Sequence, residues 1–434
     1  MTAEVAVMNT SAVALAADSA MSVGNTGKTY PTNKLFALSK HHPIGIMVYN
    51  NANFMNVPWE TIVKMYRQQL GMSPKSKVQD YAEDFLGYVR NAAICTDEQR
   101  QSNLLRISQD LFQRIARDVR ARLSDHSSGG APDVPDLIHA VATEHMNALT
   151  SAGEAPSMQD IDAAALISAH ENQVTEKIAR CFPDHMDASL LQLLLEAVET
   201  AITSRRLSRG FSGLVLAGFG DDEIFPSLVE VMTDGAVGDV VKADKRITYD
   251  LARSGTHTAI VPFAQSEMVD RFMKGVDEEL LSYLTNYIEA LLIRRISDLF
   301  EGEEAGVVLD ENQLSAIRAV VQNELADFRR ATDSFCRKRF VNPILNIVRY
   351  LPKEELASMA EALVNLTSLK QRVSMEEETV GGPIDVAVIS KGDGFIWIKR
   401  KHYFDPALNR DYFERRSPRR TPQEATSEVQ AVQA

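Results

Sequence analysis

Apolar positions follow two periods along this chain, and the switches between them divide it into segments. Near the start, Val5 and Val7 alternate with Glu4 and Ala6, and Ala12 to Ala17 forms a compact apolar run ending at Asp18. Leu35 to Leu38 and Ile44 to Tyr49 are further short runs, separated by the polar Ser39-Lys40-His41-His42-Pro43. Short apolar runs bounded by polar breaks predict a meander of strands.

From Asn56 the period becomes helical. Asn56 suits an N-cap and Pro58 a first turn, after which Ile62, Val63, Tyr66 and Leu70 recur at helical spacing until Gly71. The helical pattern continues to about Arg209, broken by linkers at 125–132 and 151–156. Within the Arg- and Gln-rich segment 97–124, Leu104, Leu105, Ile107, Leu111 and Ile115 form a stripe, which predicts an amphipathic surface or partner helix.

Strands resume at Gly213–Gly218 and Ser227–Met232, with a turn at Asp234-Gly235. Helices return over 266–301, 311–345 and 353–372. Two closing strands, Ile384–Ile389 and Phe395–Lys399, are joined by the hairpin signal Lys391-Gly392-Asp393-Gly394. The tail 415–434 follows the basic cluster Arg415 to Arg420, has nothing to pack and reads as disordered. No internal repeat is visible. The order of strands and helices predicts an α+β fold, with antiparallel sheet layers flanked by helices.

Composition narrows the function. The chain has 434 residues, 45% hydrophobic and 24% charged, which permits one large domain with insertions or two or three ordinary ones. A net charge of −13 argues against a general nucleic-acid binder. Cys95, Cys181 and Cys336 lie far apart without a CxxC pair, which fits a reducing compartment. The segment after Met1 lacks a signal-peptide pattern and no run approaches a membrane span, so a cytoplasmic protein without a membrane partner is expected.

Several motifs are decoys. Gly24-Asn25-Thr26-Gly27-Lys28-Thr29 resembles the end of a P-loop, but Ser22 stands where the motif needs its first Gly, and Tyr30-Pro31 opposes the required helix. Gly218-Phe219-Gly220 lacks the third Gly of a dinucleotide fingerprint. His41-His42 has no metal-ligand spacing around it. No cofactor and no metal are expected.

The stretch with catalytic potential is the first fifty residues. Thr2 is small enough for aminopeptidases to remove Met1, which would leave a threonine with a hydroxyl nucleophile and an amine of pKa about 7.7–8 on one residue. By itself Thr2 is merely a permissive second residue. Asp18 ends Leu15-Ala16-Ala17-Asp18-Ser19, and Lys34 opens Lys34-Leu35-Phe36-Ala37-Leu38. A buried Asp–Lys pair without catalysis is the structural alternative.

The spacing of Thr2, Asp18 and Lys34 resembles that of the proteasome-like N-terminal nucleophile (Ntn) hydrolases, proteasome β subunits and their bacterial relatives. Ile44 to Val48, Gly213 to Gly235 and Val380-Gly381-Gly382-Pro383 before Ile384 to Ile389 are similar to further parts of that family. The resemblance implies a four-layer αββα sandwich. Its core would be 2–95, 209–277 and 350–404, with helical insertions at 96–208 and 278–349.

It also implies Thr2 as nucleophile and base, Asp18 as partner of Lys34, Lys34 as the cation beside the threonine, and a backbone N–H at Tyr49-Asn50-Asn51, assigned to Tyr49, as oxyanion donor. Three supporting positions depart from the family: Ala264, Glu377 and Val380 stand where it carries Ser, Asp and Ser. The expected activity is hydrolysis of amide bonds, most readily of peptides, through a Thr2 acyl-enzyme. The alternatives are a catalytically silent assembly scaffold and an amidase with a non-protein substrate. Expected partners are further copies of the chain, as a homo-oligomer or ring, a separate ATP-driven unfoldase and a peptide or protein substrate.

Overall fold

Strands β1 (Ala3–Asn9) and β2 (Ala12–Ala17) are buried along both faces, which accounts for sequences as poor in charge as AEVAVMN and AVALAA. In the computed structural model, which describes residues 2–22, 29–91, 94–125, 133–183, 187–252, 257–301, 311–374 and 380–411, this double burial has two sources. Ala3, Val5, Val7, Ala12, Ala14 and Ala16 face helices, while Ala6, Met8, Val13, Leu15 and Ala17 face a second sheet. Met1, the Gly24–Gly27 turn, Glu377 and the tail 415–434 lie outside the described residues.

The remaining strands are β3 (Ala20–Ser22), β4 (Thr29–Pro31), β5 (Leu35–Ala37), β6 (Ile44–Asn50), β7 (Asn53–Phe54), β8 (Val57–Pro58), β9 (Ser212–Gly218), β10 (Ser227–Val237), β11 (Val240–Asp250), β12 (Thr258–Ala264), β13 (Asp385–Ser390) and β14 (Gly394–Lys399). One five-stranded sheet runs β12-β1-β2-β13-β14, the other β11-β10-β9-β6-β5. Every ladder in them is antiparallel. The fold is α+β.

The inner faces of the two sheets share one core, and a Cβ added at Gly45 would lie 2.8 Å from Ile389 Cδ1 of the facing sheet. Helices α1 (Trp59–Leu70) and α2 (Val78–Asn91) cover the outer face of the second sheet. Helices α8 (Glu267–Lys274) and α12 (Lys353–Val373) cover that of the first.

The helices of the first insertion are α3 (Asp97–Asp125), α4 (Val134–Ser151), α5 (Ala163–Ala169), α6 (Glu171–Cys181) and α7 (Ala188–Thr203). They bury Leu104, Ile107, Leu111 and Ile115 of the predicted stripe, together with Leu190, Leu194 and Val198 of α7. The stripe is thus covered within the chain itself. The second insertion is different. Helix α9 (Glu278–Glu301), packed beside α10 (Glu311–Cys336), leaves Leu280, Tyr283, Leu284, Tyr287 and Leu291 exposed. Helix α11 (Asn342–Val348) continues from a π turn at Arg337–Val341. No helix among the described residues is long and apolar enough to cross a membrane.

Four sequence expectations are corrected. Asn56 does not cap α1: it is left-handed, at φ 68°, in the turn between β7 and β8, and the helix starts after Pro58. Asp234-Gly235 is not a turn: β10 continues to Val237, and the two-residue turn is Gly238-Asp239. Gly235, at φ 87°, sits where the β10–β11 register shifts, so its left-handed backbone makes a bulge. Strands β11 and β12 escaped the sequence reading. The helix expected over 266–301 breaks at Gly275, which caps α8 at φ 69°.

Candidate functional site

Antiparallel pairing of β1 with β2 places Glu4 opposite Ala17, which brings Thr2 and Asp18 to the same end of the sheet. Lys34 precedes β5 of the facing sheet, and its long side chain spans the gap. Its Nζ donates to Thr2 Oγ1 at 2.8 Å and to Asp18 Oδ1 at 2.7 Å. All three side chains are buried.

Asp18 is held by backbone donors. Oδ1 also accepts from the Ala3 N–H, and Oδ2 accepts from the N–H groups of Ala20 and Gly381, each at 3.1 Å. A carboxylate with these donors and an ammonium keeps one orientation, so Lys34 is anchored rather than merely nearby. Gly381 belongs to the Gly-Gly turn before β13; its carbonyl accepts from Ser19 N–H at 3.1 Å.

Burial pushes the Lys34 ammonium below the usual lysine range, with Asp18 and then Glu4 acting in the opposite direction. Glu4 is fully buried, and burial pushes its carboxyl well above the usual range. Among the described residues neither Glu4 oxygen has a hydrogen-bond partner.

A small cavity of about 50 Å³ opens on Thr2 and Lys34, lined further by Met21, Asn33, Asn50 and Trp59. Trp59 is fixed by its indole N–H donating to Ser212 Oγ at 2.9 Å. Beyond the 50–53 segment lies a separate polar pocket of about 130 Å³ that includes Asn103 and Arg106, so the first insertion reaches close to the cavity without lining it.

Tyr49 does not line the cavity at Thr2. Its ring packs between the sheets against Phe211 and Phe263, and its hydroxyl donates to Glu230 Oε1 at 2.6 Å. Its backbone N–H is turned away as well. Val48 N–H donates to the Lys34 carbonyl at 2.8 Å and Asn51 N–H to the Phe211 carbonyl at 3.2 Å. Donors alternate sides along an antiparallel strand, so Tyr49 N–H points to β9 and Asn50 N–H to the Lys34 side. Asn50, at φ 65°, lines the cavity, and its amide side chain donates to the carbonyls of Arg209 and Phe211. Of these two backbone N–H groups, that of Asn50 and not that of Tyr49 is directed to the Lys34 side. An Asn pair closing a strand was the available signal, because Asn tolerates left-handed backbone.

Of the other departures, Ala264 is exposed at φ 62° opposite Ala3, and Val380 is buried among the apolar side chains under α12. Neither offers a polar atom from its side chain. Among the described residues no cluster of three or more His, Cys, Asp or Glu could hold a metal ion.

No family model matches the chain, and no curated protein does. Among solved structures, it is similar to a chain in the helical assembly of the Anbu complex from Pseudomonas aeruginosa, at 8% identity and a TM-score of 0.30, with 97% of this chain and 99% of that one covered.

Proposed function

We propose that this chain is a proteasome-like N-terminal threonine hydrolase that cleaves amide bonds, most readily in peptides, with its two sheets and flanking helices forming the αββα core of that family. The observation that carries the reading is the contact of Lys34 Nζ with both Thr2 Oγ1 and Asp18 Oδ1. A lysine in its ammonium form has no lone pair to take the hydroxyl proton, so in this reading the base comes from elsewhere. Removal of Met1 turns the Thr2 nitrogen from an amide into an amine able to serve.

In this mechanism the amine takes the Oγ1 proton as Oγ1 attacks the substrate carbonyl. Lys34 stabilises the developing negative charge on Oγ1, and the Asn50 N–H donates a hydrogen bond to the oxyanion. The protonated amine then gives its proton to the leaving nitrogen, which departs as the C–N bond breaks. Water, activated by the same amine, hydrolyses the Thr2 ester and frees the acid. The reaction needs no cofactor. We place the enzyme in the cytoplasm as a homo-oligomer, with any unfolding of protein substrates left to a separate ATP-driven partner.

A second reading, a catalytically silent scaffold, is favoured by the apolar Ala264 and Val380 and by the 2% exposure of Thr2. Intact mass combined with a peptide epoxyketone, which reacts with an amine and a hydroxyl on one residue, separates the two. The expected result is loss of Met1 and one adduct on Thr2, absent in Thr2→Ala. A retained Met1 or an unreactive Thr2 supports the scaffold.

A further inference from the structure

Glu4 is the buried ionisable group that the mechanism above leaves without a task. On β1 its side chain shares the inward side with those of Thr2, Ala6 and Met8, because side chains alternate along a strand. Two residues of strand separate Thr2 from Glu4 by roughly 6–7 Å, so their side chains are neighbours on one face, and the Glu4 carboxyl lies within electrostatic range of Lys34. It is fully buried, and neither oxygen has a hydrogen-bond partner among the described residues. An ionisable group is costly to bury unpaired, and a Leu or Val here would fill the sheet interface at no such cost.

We propose that Glu4 is a positioning residue that holds Lys34 in its ammonium form opposite Thr2, acting across space as a second carboxylate beside Asp18. The proposal rests on the reading of Thr2 as nucleophile. Lys34 is buried and tends to shed its proton for that reason; Asp18 opposes this through a direct bond, Glu4 through charge alone.

The two groups share the consequence reciprocally: the ammonium favours ionised Glu4 as much as ionised Glu4 favours the ammonium. Once Glu4 is ionised, its negative charge delays the loss of the proton on Lys34. The other charged or titratable groups at this place are Tyr49, whose hydroxyl is engaged by Glu230, and Lys401, which pairs with Asp385. Neither supplies a free anion to Lys34.

The test reads Lys34 directly. The protein is labelled with 13C at lysine Cε, the Lys34 signal is assigned by its loss in Lys34→Arg, and its titration is followed in wild type and Glu4→Gln. Gln has the shape of the protonated acid and no charge. The expected result is a Lys34 midpoint about one pH unit lower in Glu4→Gln, a tenfold change in proton affinity. Should Gln prevent folding, Glu4→Met, of similar length, is expected to give the same shift.

The alkaline limb of the epoxyketone reaction should move down by the same amount. An unchanged Lys34 midpoint overturns the proposal, since a purely structural Glu4 would alter stability and leave the Lys34 titration where it was. If Thr2 fails to react at any pH, the nucleophile reading falls, while the Lys34 titration still decides the role of Glu4.

Discussion

The amide of Gly381 donates to Oδ2 of Asp18 across 363 positions of sequence, tying the turn before β13 to the lysine that touches Thr2. The candidate site is therefore closed by the last sheet strands as well as built by the first. Asp18 Oδ2 accepts two backbone N–H groups, so an amide in its place would aim donors at donors or lose the Lys34 contact.

Asp18→Asn should thus destabilise the fold by about 3–5 kcal/mol, the usual cost of leaving a buried cation without its partner. Urea denaturation measures it. A loss under about 1 kcal/mol would mean that Lys34 is held by something other than Asp18.

Lys34→Arg should be nearly as inactive as Lys34→Ala. A guanidinium is bulkier than an ammonium and fixes its N–H directions in one plane, so it does not reproduce the buried place where a single Nζ meets Thr2 Oγ1 and Asp18 Oδ1 at 2.8 and 2.7 Å. The rate of Thr2 acylation should fall by roughly 100-fold or more in both. Acylation by Lys34→Arg at the wild-type rate would remove Lys34 from the mechanism.

Glu4 makes stability depend on pH, and the sign follows from its shift. Its folded pKa is raised by burial above the unfolded value, so between the two the native state holds more protons and stability falls as pH rises. Glu4→Gln deletes this dependence. The stability gained by the variant over wild type should be negligible below about pH 4 and grow toward neutral pH. Denaturant midpoints at acidic and neutral pH check this, and a pH-independent difference would show that Glu4 does not titrate between them.

Gly213 lies directly across from Tyr49, and a Cβ there would fall 2.0 Å from the Tyr49 ring. Gly213→Ala should therefore force the ring off the Glu230 hydrogen bond and cost about 1–3 kcal/mol or more. Tyr49→Ala in the same chain should recover part of that loss, so the two changes are expected to be non-additive in a double-mutant cycle.

The exposed face of α9 gives a test of assembly. Tyr283 and Tyr287 stack at 6.3 Å on that face, both more than half exposed. Glu at both positions should shift the protein towards single chains if copies associate there. Light scattering reads it, and a wild-type mass of 48.1 kDa at micromolar concentration would end the assembly proposal.

How much was legible varied with the kind of signal. The α+β class, the C-terminal end of α1, both ends of α12 and the β13–β14 hairpin came from local pattern: period, Gly71 and the Gly392-Asp393-Gly394 turn are read within a few residues. Strands β11 and β12 were missed because AIVPFA and the charged VVKADKRITYD carry no clean alternation, and their conformation is set by ladder partners instead. Asp234-Gly235 looked like a turn because its composition is that of one; pairing with β11 and the approach of Asn103 made it a bulge.

The sequence by itself determined that Thr2, Asp18 and Lys34 are chemically suited to one another, since residue type and spacing along strands are local properties. Only the tertiary structure decided that one ammonium touches both partners, that Asn50 rather than Tyr49 turns its N–H to the Lys34 side, and that Glu4 is buried near Thr2 with no hydrogen-bond partner among the described residues. Those outcomes depend on how two sheets meet and on which side of a strand each donor falls. A change of one residue in register would reverse them while leaving the local composition the same.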